Sequence, residues 1–162
     1  MATEQIDTLS FATEGRQYLT FAVGAEEYGI DILRVQEIRG YAPVTPIPNT
    51  PPYIKGVMNL RGTIIPVVDF RAKLAMRAAE YNQFTVIIVI TVGTKIVGLI
   101  VDAVSDVLDI PHADIQATPD FGAQVDARFI DGVAKAGDKL VVLLDIDRLL
   151  GGDEMIAVGG AS

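Results

Sequence analysis

The chain has 162 residues, 50% of them apolar and 21% charged, with a net charge of −8. That length fits one domain or two small units sharing a core, and the acidity excludes the basic footprint that a nucleic-acid partner requires. With no cysteine present, there is no disulfide framework, thiol nucleophile or thiolate metal site.

Val and Ile together supply 36 residues. β-branched side chains suit a pleated, half-buried surface, so the composition points to an all-β fold. Residues 1–16 are acidic, lack an apolar signal core and read as a flexible N-terminal arm. Strand-like runs follow at 18–23, 28–32 and 35–39. A connector with five prolines (Pro43, Pro46, Pro48, Pro51, Pro52) then excludes a central strand. Runs at 55–60 and 63–68 flank a turn at Arg61-Gly62. In the second half, 84–92, 95–101, 104–110, 129–134 and 139–144 read as strands.

Two short helices are expected, over 70–76 and 146–150. Asp69 and Asp145 are placed to cap them, with Gly151 ending the second in a left-handed conformation. The Gly-rich segment 151–162 reads as a flexible tail. The uncharged, apolar-rich stretch 81–94 is too short to span a bilayer, so membrane insertion is not expected and the chain reads as cytoplasmic.

The sequence also repeats itself. GAEEYGIDILRVQEI at 24–38 aligns with GTKIVGLIVDAVSDV at 93–107, an offset of 69. IKGVMNLRGTIIPVVDFRAKL at 54–74 aligns with IDGVAKAGDKLVVLLDIDRLL at 130–150, an offset of 76. The second copy therefore carries about seven extra residues in its connector. Two β-rich copies of this size suggest two small barrels, about 17–76 and 84–150, with strands open to exchange between them and a shared apolar interface. Features kept in both copies read as architectural: Gly56 and Gly132 for close packing, Asp69 and Asp145 as caps. Asn59-Leu60-Arg61-Gly62 faces Lys135-Ala136-Gly137-Asp138 in the other copy, so the polar turn is not demanded by the fold twice.

Catalytic equipment is sparse. His112 is the only histidine and has no partner for a metal site. No serine sits in a nucleophile elbow, and the glycines form no phosphate-binding loop. Glu26-Glu27, Asp102 with Asp106, and Asp145 with Asp147 are the conceivable acid/base pairs. Each has a simpler reading as turn, edge or cap, and neither enzymatic activity nor a cofactor is expected.

Tyr28-Gly29-Ile30-Asp31-Ile32-Leu33-Arg34-Val35-Gln36-Glu37-Ile38 resembles the pattern of the CheW family. So do the segment from Pro48 to Arg71, with its NLRG turn followed by Ile65-Pro66-Val67-Val68-Asp69, and the runs GLIVDAVSDVL at 98–108 and LDIDRLL at 144–150. The resemblance covers residues 17–150. It implies two SH3-like five-stranded β-barrels packed around a shared hydrophobic core, with short helices including one near the C-terminus. It further implies a chemotaxis adaptor that binds the regulatory domain of the histidine kinase CheA and the cytoplasmic tip of chemoreceptors, and is recruited to their membrane-bound arrays. Val35, Glu37, Arg61, Val86, Gly98 and Val107 are the receptor-binding residues the resemblance implies. Ile38, Tyr41 and Phe121 are those for the kinase. Gln116 stands where relatives can carry a basic residue. Competing readings are an adaptor of a related kinase pathway such as pilus motility, a small-ligand-binding barrel, and a carboxylate hydrolase.

Overall fold

The computed structural model describes residues 15–117 and 127–151. Strands β1 (Gly15–Val23) and β2 (Glu26–Asp31) form a hairpin, and a 3-10 turn at Ile32–Arg34 leads to β3 (Val35–Gly40). After the proline connector come β4 (Ile54–Leu60), β5 (Thr63–Asp69) and helix α1 (Phe70–Lys73). The second half runs β6 (Val86–Val92), β7 (Lys95–Val101), β8 (Ala103–Pro111), β9 (Ile115–Gln116), β10 (Ile130–Ala136), β11 (Lys139–Leu144) and helix α2 (Ile146–Leu150).

These strands make two sheets, ordered β8-β1-β2-β11-β10-β9 and β3-β6-β7-β5-β4. The first two strands of the first copy lie in one sheet with the last four of the second, and the first two strands of the second copy lie in the other sheet with the last three of the first. Apart from β9, whose counterpart is only the Thr45 bridge, the two sheets match in strand order, and each holds a parallel pair, β2 with β11 and β5 with β7. They also match at their irregularities. The register shifts between Thr20 and Phe21 in β1·β8 and between Val35 and Glu37 in β3·β6 occupy equivalent places. So do the shifts at Ile54/Gly56 and Ile130/Gly132.

Chain length forces each sheet to curl. The chain leaves the β8 edge at Pro111 and joins the opposite edge at Ile115. Those residues span at most about 14 Å, whereas a flat six-stranded sheet would hold its edges ~24 Å apart. In the other sheet, Thr45 bridges to Val57 on the free side of β4 only five residues after β3 ends at Gly40. A curled sheet has a concave face to fill. Tyr18, Ile110, Ala134, Val141 and Leu143 fill it in the first sheet. Val67, Ile87 and Ile100, with Tyr41 and Val44 against them, pack together in the second.

The opposite faces meet in one large shared core. Leu19, Phe21, Tyr28 and Ile30 from one sheet pack with Ile88, Ile90, Leu99 and Val101 from the other. Phe21, Tyr28 and Phe70 form an aromatic trio with centroids 4.9–5.8 Å apart. Strands covered on both faces need apolar residues at nearly every position, which accounts for VIIVITV in β6 and KIVGLIV in β7. Gly56 and Gly132 lie where a third strand segment crosses. A Cβ on Gly56 would overlap the Thr45 carbonyl, and one on Gly132 would lie 2.8 Å from Ile115 Cγ2.

Both caps form. Asp69 accepts from Ala72 N–H and Asp145 from Arg148 N–H, each at 3.1 Å. Other expectations need correction. β1 begins at Gly15, inside the segment read as an arm, because Gly15 and Arg16 pair with Pro111 and Ile110. α1 ends at Lys73 rather than 76. Ala75 takes a left-handed φ of 57°, and Met76 N–H reaches back to Arg71 O at 2.7 Å. β6 starts at Val86 rather than 84, because Asn82 Oδ1 takes the Phe84 N–H and closes a turn. Gly151 is not left-handed, with φ −94°; its value lies in the missing Cβ, which would overlap Asp147 O. The two-residue β9 carries too little pattern to be read from sequence.

Candidate protein-binding surfaces

Four two-residue hairpin loops join neighbouring strands: Gly24-Ala25, Arg61-Gly62, Gly93-Thr94 and Gly137-Asp138. A tight hairpin matches strand twist best when its first loop residue has positive φ, a geometry that favours Gly, Asn or Asp. Three of the four have glycine there, with φ of 60–64°. The fourth has Arg61 at φ 51°. The second copy's counterpart of Arg61 is Gly137, so the backbone at this place asks for glycine and the first copy carries arginine instead. Asn59 Oδ1 steadies the turn by accepting from Gly62 N–H at 2.7 Å.

The Arg61 side chain projects from that tip to β3, where its Nη1 lies 2.7 Å from Glu37 Oε1. Glu37 follows the register shift in β3. There Val35 is opposite Ile90 and Glu37 opposite Val89, so Gln36 is the extra residue of a bulge. Gln36 donates to Thr91 Oγ1 at 2.9 Å. Val35 is half-buried against the shared core. Its neighbour Ile38 is 43% exposed on the edge strand. The Glu37–Arg61 pair thus lies on one face of the β3 edge strand, with Val35 and Ile38 on its other face.

The remaining site residues are spread more widely. Val86 lies at the far end of the β3·β6 ladder, opposite Gly40, half-buried against the shared core. Val107 is on β8, the edge of the other sheet, opposite Leu19 and 44% exposed. At the repeat offset Val107 is the counterpart of Ile38, so the two copies expose the same position to the same degree. Gly98 is buried in mid-β7, where a Cβ would lie 2.9 Å from Ile87 Cγ2. Its counterpart Gly29 is equally crowded by Leu143. The close approach that Gly98 permits is therefore made inside the fold.

Tyr41 is half-buried against Val67, Ile87 and Ile100, with its ring 4.4 Å from that of Tyr81. The Tyr81 hydroxyl donates to Asp69 Oδ2, so the α1 cap also anchors the segment before β6. Burial and the Asp69 carboxylate both push the Tyr81 phenol well above its usual pKa. Phe121 lies outside the described residues.

The carboxylates singled out from sequence are engaged structurally. Glu26 accepts from the Tyr28 hydroxyl and Glu27 from Ser105. Asp106 Oδ1 accepts from Val107 N–H. Asp102 pairs with Arg71, and Asp147 makes a two-point contact with Arg34 at 2.7 Å. Each arginine holds its partner's carboxyl below the ordinary aspartate pKa. His112 is exposed in a 3-10 turn, and no cluster of metal-ligating side chains occurs among the described residues. Nor is any helix among them long and apolar enough to cross a membrane.

Sequence reasoning missed a second exposed pair. Ile64 on β5 and Leu140 on β11 are 42% and 58% exposed and stand at the repeat offset of 76. The repeat alignment itself was the signal. Ile64 borders an open groove of about 590 Å³ that runs past Lys95 to Leu150.

A duplicated, filled β fold whose carboxylates hold structure and whose edges are apolar and charged defines a protein-binding scaffold. The model of the CheW-like domain matches residues 17–154. The chain is 45% identical to the chemotaxis protein CheW of Klebsiella aerogenes, over 94% of this chain and 92% of that one. It is 44% identical to the chemotaxis protein CheW of Rhizobium meliloti, over 86% and 90%. The crystal structure of the scaffolding protein TtCheW from Thermoanaerobacter tengcongensis superposes with a TM-score of 0.79 at 32% identity, over 86% and 90%. The chain belongs to the CheW family of chemotaxis scaffold proteins.

Proposed function

We propose that this protein is a non-catalytic adaptor coupling chemoreceptors to the histidine kinase CheA. The observation that carries the reading is Arg61. It occupies a left-handed hairpin position that its duplicate fills with glycine, and its side chain meets Glu37 on an exposed edge. Backbone strain retained at a surface charge is better explained by binding than by folding. A chemoreceptor tip is a helical hairpin, and a helix docks on apolar anchors framed by charges that set its register. Val35 and Val86 offer the anchors, Glu37 and Arg61 the charges, and Val107 an apolar contact from the other sheet. Gly98 acts through packing beneath them. Ile38 and Tyr41 form the kinase-binding edge, with Phe121 as a second contact. Through these surfaces the protein is held at receptor arrays on the cytoplasmic side of the membrane.

Two substitutions separate the surfaces. Arg61→Glu sets two acids against each other and should abolish binding to a receptor signalling fragment while keeping the CheA regulatory domain. Ile38→Asp should do the reverse. Equal loss of both partners in either folded variant would contradict the assignment.

A further inference from the structure

The chain crosses from one sheet to the other after β2 and again after β7, and an ion pair sits at each crossing. At the first, Arg34 contacts both oxygens of Asp147 on α2. At the second, Arg71 on α1 contacts both oxygens of Asp102, at 3.0 and 2.5 Å. The helix positions 71 and 147 are related by the repeat offset of 76. The crossing positions 34 and 102 differ by one residue from the offset of 69. The two pairs thus occupy matching places with their charges reversed: arginine on α1 in one, aspartate on α2 in the other.

Each pair also takes hold of the opposite sheet. Asp102 Oδ2 accepts the Gly24 N–H at 2.8 Å, from the β1–β2 loop. The Gly93 N–H, from the β6–β7 loop, lies near Asp147 and helps to hold its carboxyl below the ordinary value. Gly24 and Gly93 are themselves repeat counterparts, both at left-handed loop positions. Arg34 adds a bond to Thr91 O at 3.3 Å on β6.

We propose that these ion pairs are two matched latches, each gripping the other sheet's first hairpin and together fixing how the two sheets sit against each other. The shared core is apolar and non-directional, so it does not set that angle alone. A charge-assisted hydrogen bond to one backbone N–H is directional. The edges β3 and β8 belong to different sheets, so any partner touching both reads the angle the latches set.

The test is amide hydrogen exchange by NMR on the full chain, with residual dipolar couplings for sheet orientation. Asp102→Asn should speed exchange at Gly24 by about tenfold and leave Gly93 unchanged; Asp147→Asn should do the opposite. The double variant should lose the fixed orientation between sheets while protection within each sheet persists. A further variant, Arg71→Asp with Asp102→Arg, copies the charge order of the other latch. It should protect Gly24 better than Arg71→Asp alone. Unchanged exchange at both glycines, a uniform rise across all strands, or a charge-swapped variant no better than Arg71→Asp alone would overturn the proposal.

Discussion

Arg61 shows how one residue can work against its backbone. A left-handed conformation costs an L-residue about 1–2 kcal/mol, and glycine avoids that cost with a smaller entropic loss. Arg61→Gly should therefore stabilise the fold by up to about 1 kcal/mol in urea unfolding while weakening receptor binding. Loss of stability would show that the Glu37 contact matters more to folding than the turn does. Ala75 provides a control without a proposed binding role, being left-handed at the end of α1. Ala75→Gly should raise stability by about 0.5–1 kcal/mol with binding unchanged. At this scale the sequence was informative where chemistry is local. Asp69 and Asp145 were readable as caps because a carboxylate before an apolar run has one obvious use. The Glu37–Arg61 contact was not readable as a contact, because it depends on the bulge at Gln36 and on pairing across the sheet.

Elements are held here by close crossings and by charge. Gly132→Ala would push a methyl against Ile115 and the Gln116 carbonyl, whose β9 segment pairs with only Val133 and Ala134. The variant should lose about 1–3 kcal/mol, read as faster exchange at β9 before β11. No early loss at β9 would argue against that crossing. Acid sensitivity belongs to this scale too. Asp102 and Asp147 have folded pKa values below their unfolded values. Folding then binds fewer protons, so their contribution is complete above pH ~4, the unfolded aspartate value. It fades as pH falls through the lower folded values. Neutralising both aspartates should flatten the fall in stability below pH 4. An unaltered acid limb would show that other carboxylates dominate it. Strands with long apolar runs were legible; β9 and the end of α1 were not, because two paired residues and one left-handed alanine leave no periodic trace.

The whole molecule is a duplication in which each sheet is completed by the other copy. Offsets of 69 and 76 were visible in the sequence, but a repeat does not say which sheet a strand joins. That choice is made by the shared core and by the crossings after β2 and β7. The structure also divides the extra residues of the second connector. Thr45 and Gln116 bridge equivalent strands 71 apart, so two of the seven precede β9 and five follow it. The adaptor account requires the receptor and kinase surfaces to be usable at once. The most direct test reconstitutes CheA with a receptor signalling fragment and measures kinase autophosphorylation with and without this protein. The account predicts a ternary complex and receptor-dependent kinase activity with the native chain, neither with Arg61→Glu. A native, folded chain that binds neither partner, or binds both without linking them, would contradict it.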